Sequence, residues 1–172
     1  MKKFTHASCI FALSAFACAA AAETVKVKVF ALNEEGLSHS LGMVSITETA
    51  YGTVFTPDLT GLTPGLHGFH LHQNPSCEPG NDGKPGGGAG GHFDPDKTDD
   101  HGAPWGRGHK GDLPALYVNL DGQAKQAVLA PRLRLKDVKQ RALMIHDKGD
   151  NYADDPKPLG GGGARVACGV ID

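Results

Sequence analysis

Long apolar runs are scarce in this chain. The longest, Ala7 to Ala19, is mostly apolar but shorter than the about 20 residues a membrane-crossing helix needs, and nothing later approaches it. No membrane span is therefore expected. Charge of one sign is also missing: 17 basic residues face 19 acidic ones, a net −2. Nucleic-acid binding would show as a strong basic stripe, so no nucleic-acid partner is expected. A small anionic substrate would have to find its positive charge locally, because the overall balance does not attract it. Helical periodicity is almost absent, which argues against an α/β fold. Cysteine is sparse, with 4 in 172 residues. A chain this long buries roughly two-thirds of its unfolded surface and folds as one domain without many cross-links.

The first residues read as a secretory signal. Lys2 and Lys3 supply the positive end, the Ala7 to Ala19 stretch the apolar core, and Ala20-Ala21-Ala22 a small-residue cleavage site before Glu23. The expected organisation is a signal peptide over 1–22 and one mature domain over 23–172, exported to the periplasm. A lipid anchor at Cys18 is not expected, since Ala15-Phe16-Ala17 lacks the Leu such a signal carries. Cleavage removes Cys9 and Cys18, leaving Cys77 and Cys168 in an oxidising compartment, where two cysteines most simply pair. That bond closes a loop of about 90 residues, for which chain entropy gives roughly 4–5 kcal/mol before native strain is subtracted.

Val25-Lys26-Val27-Lys28-Val29 alternates strictly, the period of a strand with one buried face. Strand-like runs follow at 42–48, 52–57, 65–72, 116–120, 126–129, 142–146 and 165–170, separated by Gly, Pro, Asn and Asp. Lys136 to Arg141 reads as one helical turn. Many short strands predict an all-β fold, an antiparallel sandwich or barrel. Two stretches refuse a strand reading: 74–114, rich in Gly and Pro, and 147–163, which ends in four glycines. Loops this long are usually functional or disordered. Gly86 to Gly91 alone is equally compatible with a plain linker.

The first long loop and the strand before it concentrate metal-type ligands. Residues two apart on a strand share a face, so His70 and His72 aim both imidazoles one way while Phe69 and Leu71 face the other. Imidazole suits copper or zinc. The later set, His92, His101, His109 and Asp112, with two or three His beside one Asp, suits a tetrahedral zinc. Two adjoining sites are expected. His67, one face away, is read as a packed, hydrogen-bonded histidine, and His39 as loop surface. His6 leaves with the signal.

Taken in order, Gly68-Phe-His-Leu-His72, Gly91-His-Phe-Asp-Pro95, His109-Lys-Gly-Asp112, His146 and the run from Gly163 to Val170 resemble the copper/zinc superoxide dismutases, in particular their bacterial exported branch. The resemblance spans nearly all of the mature chain. It implies an immunoglobulin-like Greek-key β-barrel carrying two long functional loops, one copper and one zinc per chain, and dismutation of superoxide to oxygen and hydrogen peroxide. Carried over by residue, it implies His70, His72, His92 and His146 as copper ligands and His92, His101, His109 and Asp112 as zinc ligands, with His92 shared. It makes Asp150 the carboxylate joining His70 to His101. Arg165 becomes the active-site cation that holds superoxide, on a strand end pinned by Cys168, and His92 the proton carrier.

The chain departs from the family's eukaryotic members in a longer segment between His72 and His92. An acid-rich segment follows His146, which bears on how substrate is attracted. Trp105 is either a contact of a homodimer or a buried anchor within one subunit, and some exported members are monomers. Two rivals stand beside the dismutase. A periplasmic metal carrier on the same barrel needs neither Arg165 nor a bridging histidine. A zinc hydrolase needs an open zinc position, which four protein ligands would close.

Overall fold

The computed structural model describes residues 23–172; the expected signal segment, with His6, Cys9 and Cys18, lies outside them. Among the described residues there are ten strands: β1 (Thr24–Asn33), β2 (Gly36–Thr49), β3 (Gly52–Thr60), β4 (Gly65–His67), β5 (Phe69–His72), β6 (Leu116–Val118), β7 (Gln123–Ala124), β8 (Val128–Ala130), β9 (Arg141–His146) and β10 (Arg165–Ile171). A single α-helical turn, α1 (Leu135–Val138), precedes β9.

The alternating valines of β1 face inward, where Val27 and Val29 are buried. In the antiparallel register with β2, Val27 stands opposite Val44 and Val25 opposite Ile46, and β3 then brings Phe55 opposite Ile46. Phe55 meets Phe69 of β5 edge to face at 5.9 Å. The valines and aromatics belong to one core built from both sides of the curled sheet. Gly42 lets β2 and β3 approach: its φ is 131°, and a Cβ there would collide with the Asp58 carbonyl oxygen.

The main sheet runs β5-β9-β10-β1-β2-β3-β7, with β8 also on β3 and a separate β4-β6 pair. A tight turn from Asn119 to Gln123 joins β6 to β7, and β4 runs into β5 with only Gly68 between them. The path therefore returns from β3 through β7, β6 and β4 to β5, and the sheet curls into an antiparallel barrel. Sequence-distant strands lie side by side, β10 against β1 and β5 against β9, as Greek-key connections require. The all-β barrel expectation is met.

β9 is buried on both faces, and this positions the site. Leu143 and Ile145 enter the main core, while Ala142 and Met144 form a second cluster with Cys77, Ala89 and Cys168 on the outer face. The long loop after β5 lies over that outer face, fixed there by the Cys77–Cys168 disulfide. His70 pairs with Met144 and His72 with Ala142, so both imidazoles point to the loop-covered outside of the barrel.

Several local expectations shift. β2 begins at Gly36, so His39 is an exposed strand residue and not part of a loop. The run 65–72 breaks at Gly68, which pairs with the loops instead: its N–H donates to Lys148 O and its carbonyl accepts from His146 N. The helical turn lies over Leu135–Val138, because Arg141 already belongs to β9.

Candidate metal centre

β5 is flanked on one edge by β9 and on the other by pieces of the long loop. His70 bridges to Asp112 and His72 to His92 in antiparallel fashion. Leu71 N donates to Gly111 O at 2.9 Å and Phe93 N to Leu71 O at 2.8 Å. Gly111 must be glycine here, because a Cβ would strike the Leu71 carbonyl. The residues expected at the site are thereby gathered from distant parts of the chain.

His70, His72, His92 and His146 offer nitrogens that lie within 4.8 Å of one another, and all four residues are buried. Hydrogen bonds fix which nitrogen is offered. His72 Nδ1–H donates to Gly90 O at 2.9 Å and His146 Nδ1–H to Gly163 O at 3.2 Å, which leaves each Nε2 with its lone pair. His70 Nε2–H donates to Asp150 Oδ2 at 2.7 Å, leaving Nδ1 free. His70 Nδ1, His72 Nε2, His92 Nε2 and His146 Nε2 are all buried without a hydrogen-bond partner. Burial, followed by the neighbouring His92, pushes His70 and His72 well below the usual imidazole range. Burial lowers His146 to about 4. These rings are held neutral, the form that binds a metal.

On the other side of His92, a second set converges on one carboxylate oxygen. Asp112 Oδ1 lies 2.9 Å from His92 Nδ1, 3.0 Å from His101 Nδ1 and 3.3 Å from His109 Nδ1. Gly102 N donates to its other oxygen at 2.9 Å. Burial opposes the Asp112 carboxylate, but the three histidines hold its pKa far below the usual range. Burial likewise works against charge on His101, yet the Asp112 and Asp150 carboxylates facing its two ring nitrogens raise it to about 9. His109 is raised chiefly by Asp112. A divalent cation at this point would take the place of those protons, and three nitrogens with one oxygen match a tetrahedral, zinc-type donor set. His92 faces both sets, with Nε2 toward the first and Nδ1 toward the second. The donors present fit a copper and a zinc sharing one imidazole.

Asp150 joins the two sets. Its second oxygen accepts from His101 Nε2 at 2.9 Å, and Tyr152 N donates to the same oxygen at 2.7 Å. Burial opposes its charge, but His101 and His70 hold its pKa well below the usual carboxylate range. Because His70, His101 and Asp150 satisfy one another, this cluster is a link between sites and not a third one. Asp154 adds a strap by accepting from His101 N at 2.7 Å. The glycine run had no expected role, yet a Cβ on Gly160 would collide with Asp150 and the His101 ring. Only glycine lets the 147–163 loop close on the site.

Arg165 opens β10 opposite His146. Its guanidinium donates to Gly86 O at 2.5 Å and to Gly90 O at 2.6 Å. Gly90 O also accepts from His72, so one carbonyl ties the cation to the first histidine set. Asp82, Lys84, Gly90, Gly163 and Arg165 line a cleft of about 520 Å³. Lys84 is exposed and paired to Asp82 at 2.7 Å, which leaves Arg165 as the cation at the inner wall. A wider cleft beside Glu48 and Arg134 contains none of the histidines. His67 is packed and hydrogen-bonded as expected, with its ring nitrogens 2.6 Å from His146 O and 2.8 Å from Thr63 O. Trp105 is 71% exposed and lies 6.3 Å from Tyr152, so the buried-anchor reading fails.

A family profile described as copper/zinc superoxide dismutase (SODC) matches residues 40–171. A Cu-Zn superoxide dismutase of Actinobacillus pleuropneumoniae is 58% identical over 154 residues, covering 87% of this chain and 81% of that one. The solved Cu/Zn superoxide dismutase from Brucella abortus superposes with a TM-score of 0.85 at 51% identity, covering 87% of this chain and all of that one. The monomeric copper, zinc superoxide dismutase from Salmonella enterica superposes at 0.78 with 52% identity, again over 87% of this chain and all of that one. With its fold, its paired histidine sets and these relatives in agreement, the chain belongs to the copper/zinc superoxide dismutase family.

Proposed function

We propose that this protein dismutes superoxide at a copper/zinc pair that shares His92, turning one superoxide into oxygen and reducing a second, with two protons, to hydrogen peroxide. The observation that carries the reading is the set of buried, unpartnered nitrogens on His70, His72, His92 and His146 beside the Asp112-centred set. In this reading His70, His72, His92 and His146 hold copper, and His92, His101, His109 and Asp112 hold zinc. Copper supplies the one-electron redox couple, and zinc supplies fixed charge and a scaffold.

The chain's own groups do the rest. Arg165 presents a fixed guanidinium at the inner wall of the cleft, where its planar donors hold the superoxide anion. His92 Nε2 would take up a proton in the half of the cycle in which it does not hold copper, and would give that proton up toward the forming peroxide as it takes copper back. Asp150 fixes the orientation of the His70 and His101 rings. Replacing His72 with Gln is expected to abolish dismutation while leaving a folded, zinc-loaded protein; full activity in that variant would end the copper assignment.

We place the enzyme in the periplasm, with residues 1–22 as a cleaved signal and 23–172 as the mature domain. Among the described residues no helix is long and apolar enough to cross a membrane. N-terminal sequencing of the exported protein should begin at Glu23. Exposed Trp105 supports a homodimer contact, although the Salmonella enterica relative is monomeric. Sedimentation of the native protein and Trp105→Glu tests this, with a dimer expected only for the native chain.

A further inference from the structure

Arg132 sits between β8 and α1, outside both histidine sets, yet its guanidinium grips the loop that carries His109. Nε donates to Pro104 O at 2.8 Å, Nη1 to Gly108 O at 2.8 Å and Nη2 to His109 O at 2.5 Å. The base of this contact is rigid. Ala130 pairs with Thr53 in β3, and Thr53 Oγ1 donates to Leu133 O at 2.9 Å in the buried interior. The head holds a segment in which Trp105 and Arg107 are exposed while Pro104, Gly108 and His109 are buried. Gly102 and Gly108 touch so closely that a Cβ on Gly108 would collide with the Gly102 backbone, and Gly102 N donates to Asp112 Oδ2. Three carbonyls oriented toward one fork of donors fix the backbone of His109 relative to the barrel, a task for which a planar guanidinium suits and a point-charge ammonium does not.

We propose that Arg132 is a positioning residue for the Asp112-centred metal set: it holds the 104–109 segment in the arrangement that presents His109 to the cation. The histidines of the other set that are not shared are seated on β5 and β9, which Arg132 does not touch. Its removal should therefore weaken one metal site selectively. The proposal rests on the reading of His109 as a zinc ligand.

The test uses the mature protein, freed of metal and titrated separately with zinc and with copper against competing chelators. Arg132→Gln is expected to lose about 10-fold or more in zinc affinity, the usual range for groups that orient ligands, with copper affinity changed less than about threefold. The visible spectrum of cobalt bound in place of zinc should change as well. Equal loss for both metals, or no loss for zinc, overturns the proposal. Should Arg132→Gln not fold, the same ratio is read on Arg132→Lys, for which a smaller selective zinc loss is expected and an unselective one counts against it. His109→Gln serves as the control: if it retains native zinc affinity, the ligand reading itself fails, independently of Arg132.

Discussion

Asp150 accepts a hydrogen bond from His70 Nε2 at 2.7 Å, although the two residues lie in separate segments, one on a core strand and one in the last long loop. With its other oxygen on His101, a single carboxylate sets the orientation of one ring in each histidine set. Asp150→Asn keeps the shape but offers only one acceptor oxygen. It is expected to lower metal affinity by about 10-fold or more, because His70 and His101 both lose a charged partner. Chelator competition on the variant checks this, and unchanged affinities for both metals would contradict it.

Gly160 is a sharper steric test of the same contact. Its φ of 68° already disfavours a side chain, and a Cβ would meet Asp150 and His101. Gly160→Ala should therefore move the loop off the site and reduce zinc retention, while the barrel's thermal transition in the metal-free protein shifts little. Differential scanning calorimetry beside zinc analysis separates the two effects.

The pH response of the metal-free protein has a defined direction. Burial holds His146 at about 4, whereas an unfolded histidine titrates near 6.5. Between those values the unfolded chain binds a proton that the folded chain refuses. The stability His146 contributes is full above about pH 6.5 and is lost as the pH falls toward about 4, and His70 and His72, also depressed, act the same way. His101, raised to about 9, acts oppositely: its contribution is full below about pH 6.5 and lost as the pH rises through about 9. Melting temperatures of the metal-free protein should therefore peak near neutral pH. A steady rise on acidification from pH 6.5 to 4 would contradict this.

The disulfide fastens the outer loop, including Gly86 and Gly90, the two carbonyls that hold Arg165. Replacing Cys77 and Cys168 with Ser is expected to cost about 2–5 kcal/mol, measured by denaturant unfolding. It should also loosen Arg165 and lower the rate with superoxide. An unchanged midpoint would show that the loop is held by other contacts.

Much of the fold was legible where one strand carries its own pattern. The alternating valines of β1 and the His70/His72 pair announced their faces because strand periodicity is a local property. The fold's remaining features depend on partners far away in sequence. Gln123–Ala124 is too short to show a period and is a strand only because Leu59 and Thr60 lie beside it. The first half of β2 escaped notice because exposed Ser38, His39 and Ser40 show no buried face; they extend a hairpin beyond the barrel. At the metal centre, the ligand residue types and their order stood out. The contacts that fix the tautomers of His72 and His146 are backbone carbonyls of Gly90 and Gly163, and a carbonyl leaves no mark on residue identity. Gly111, Gly160 and Arg132 carried no signal for the same reason: each is explained by a neighbour's backbone or by a contact across the fold.

The most direct measurement is elemental analysis of the purified mature protein, paired with superoxide-dismutation assays before and after selective removal of copper. One copper and one zinc per chain are expected, with activity that vanishes when copper is removed and returns when it is restored. Tight binding of both metals with no dismutation would contradict the enzymatic reading and leave the fold as that of a metal carrier.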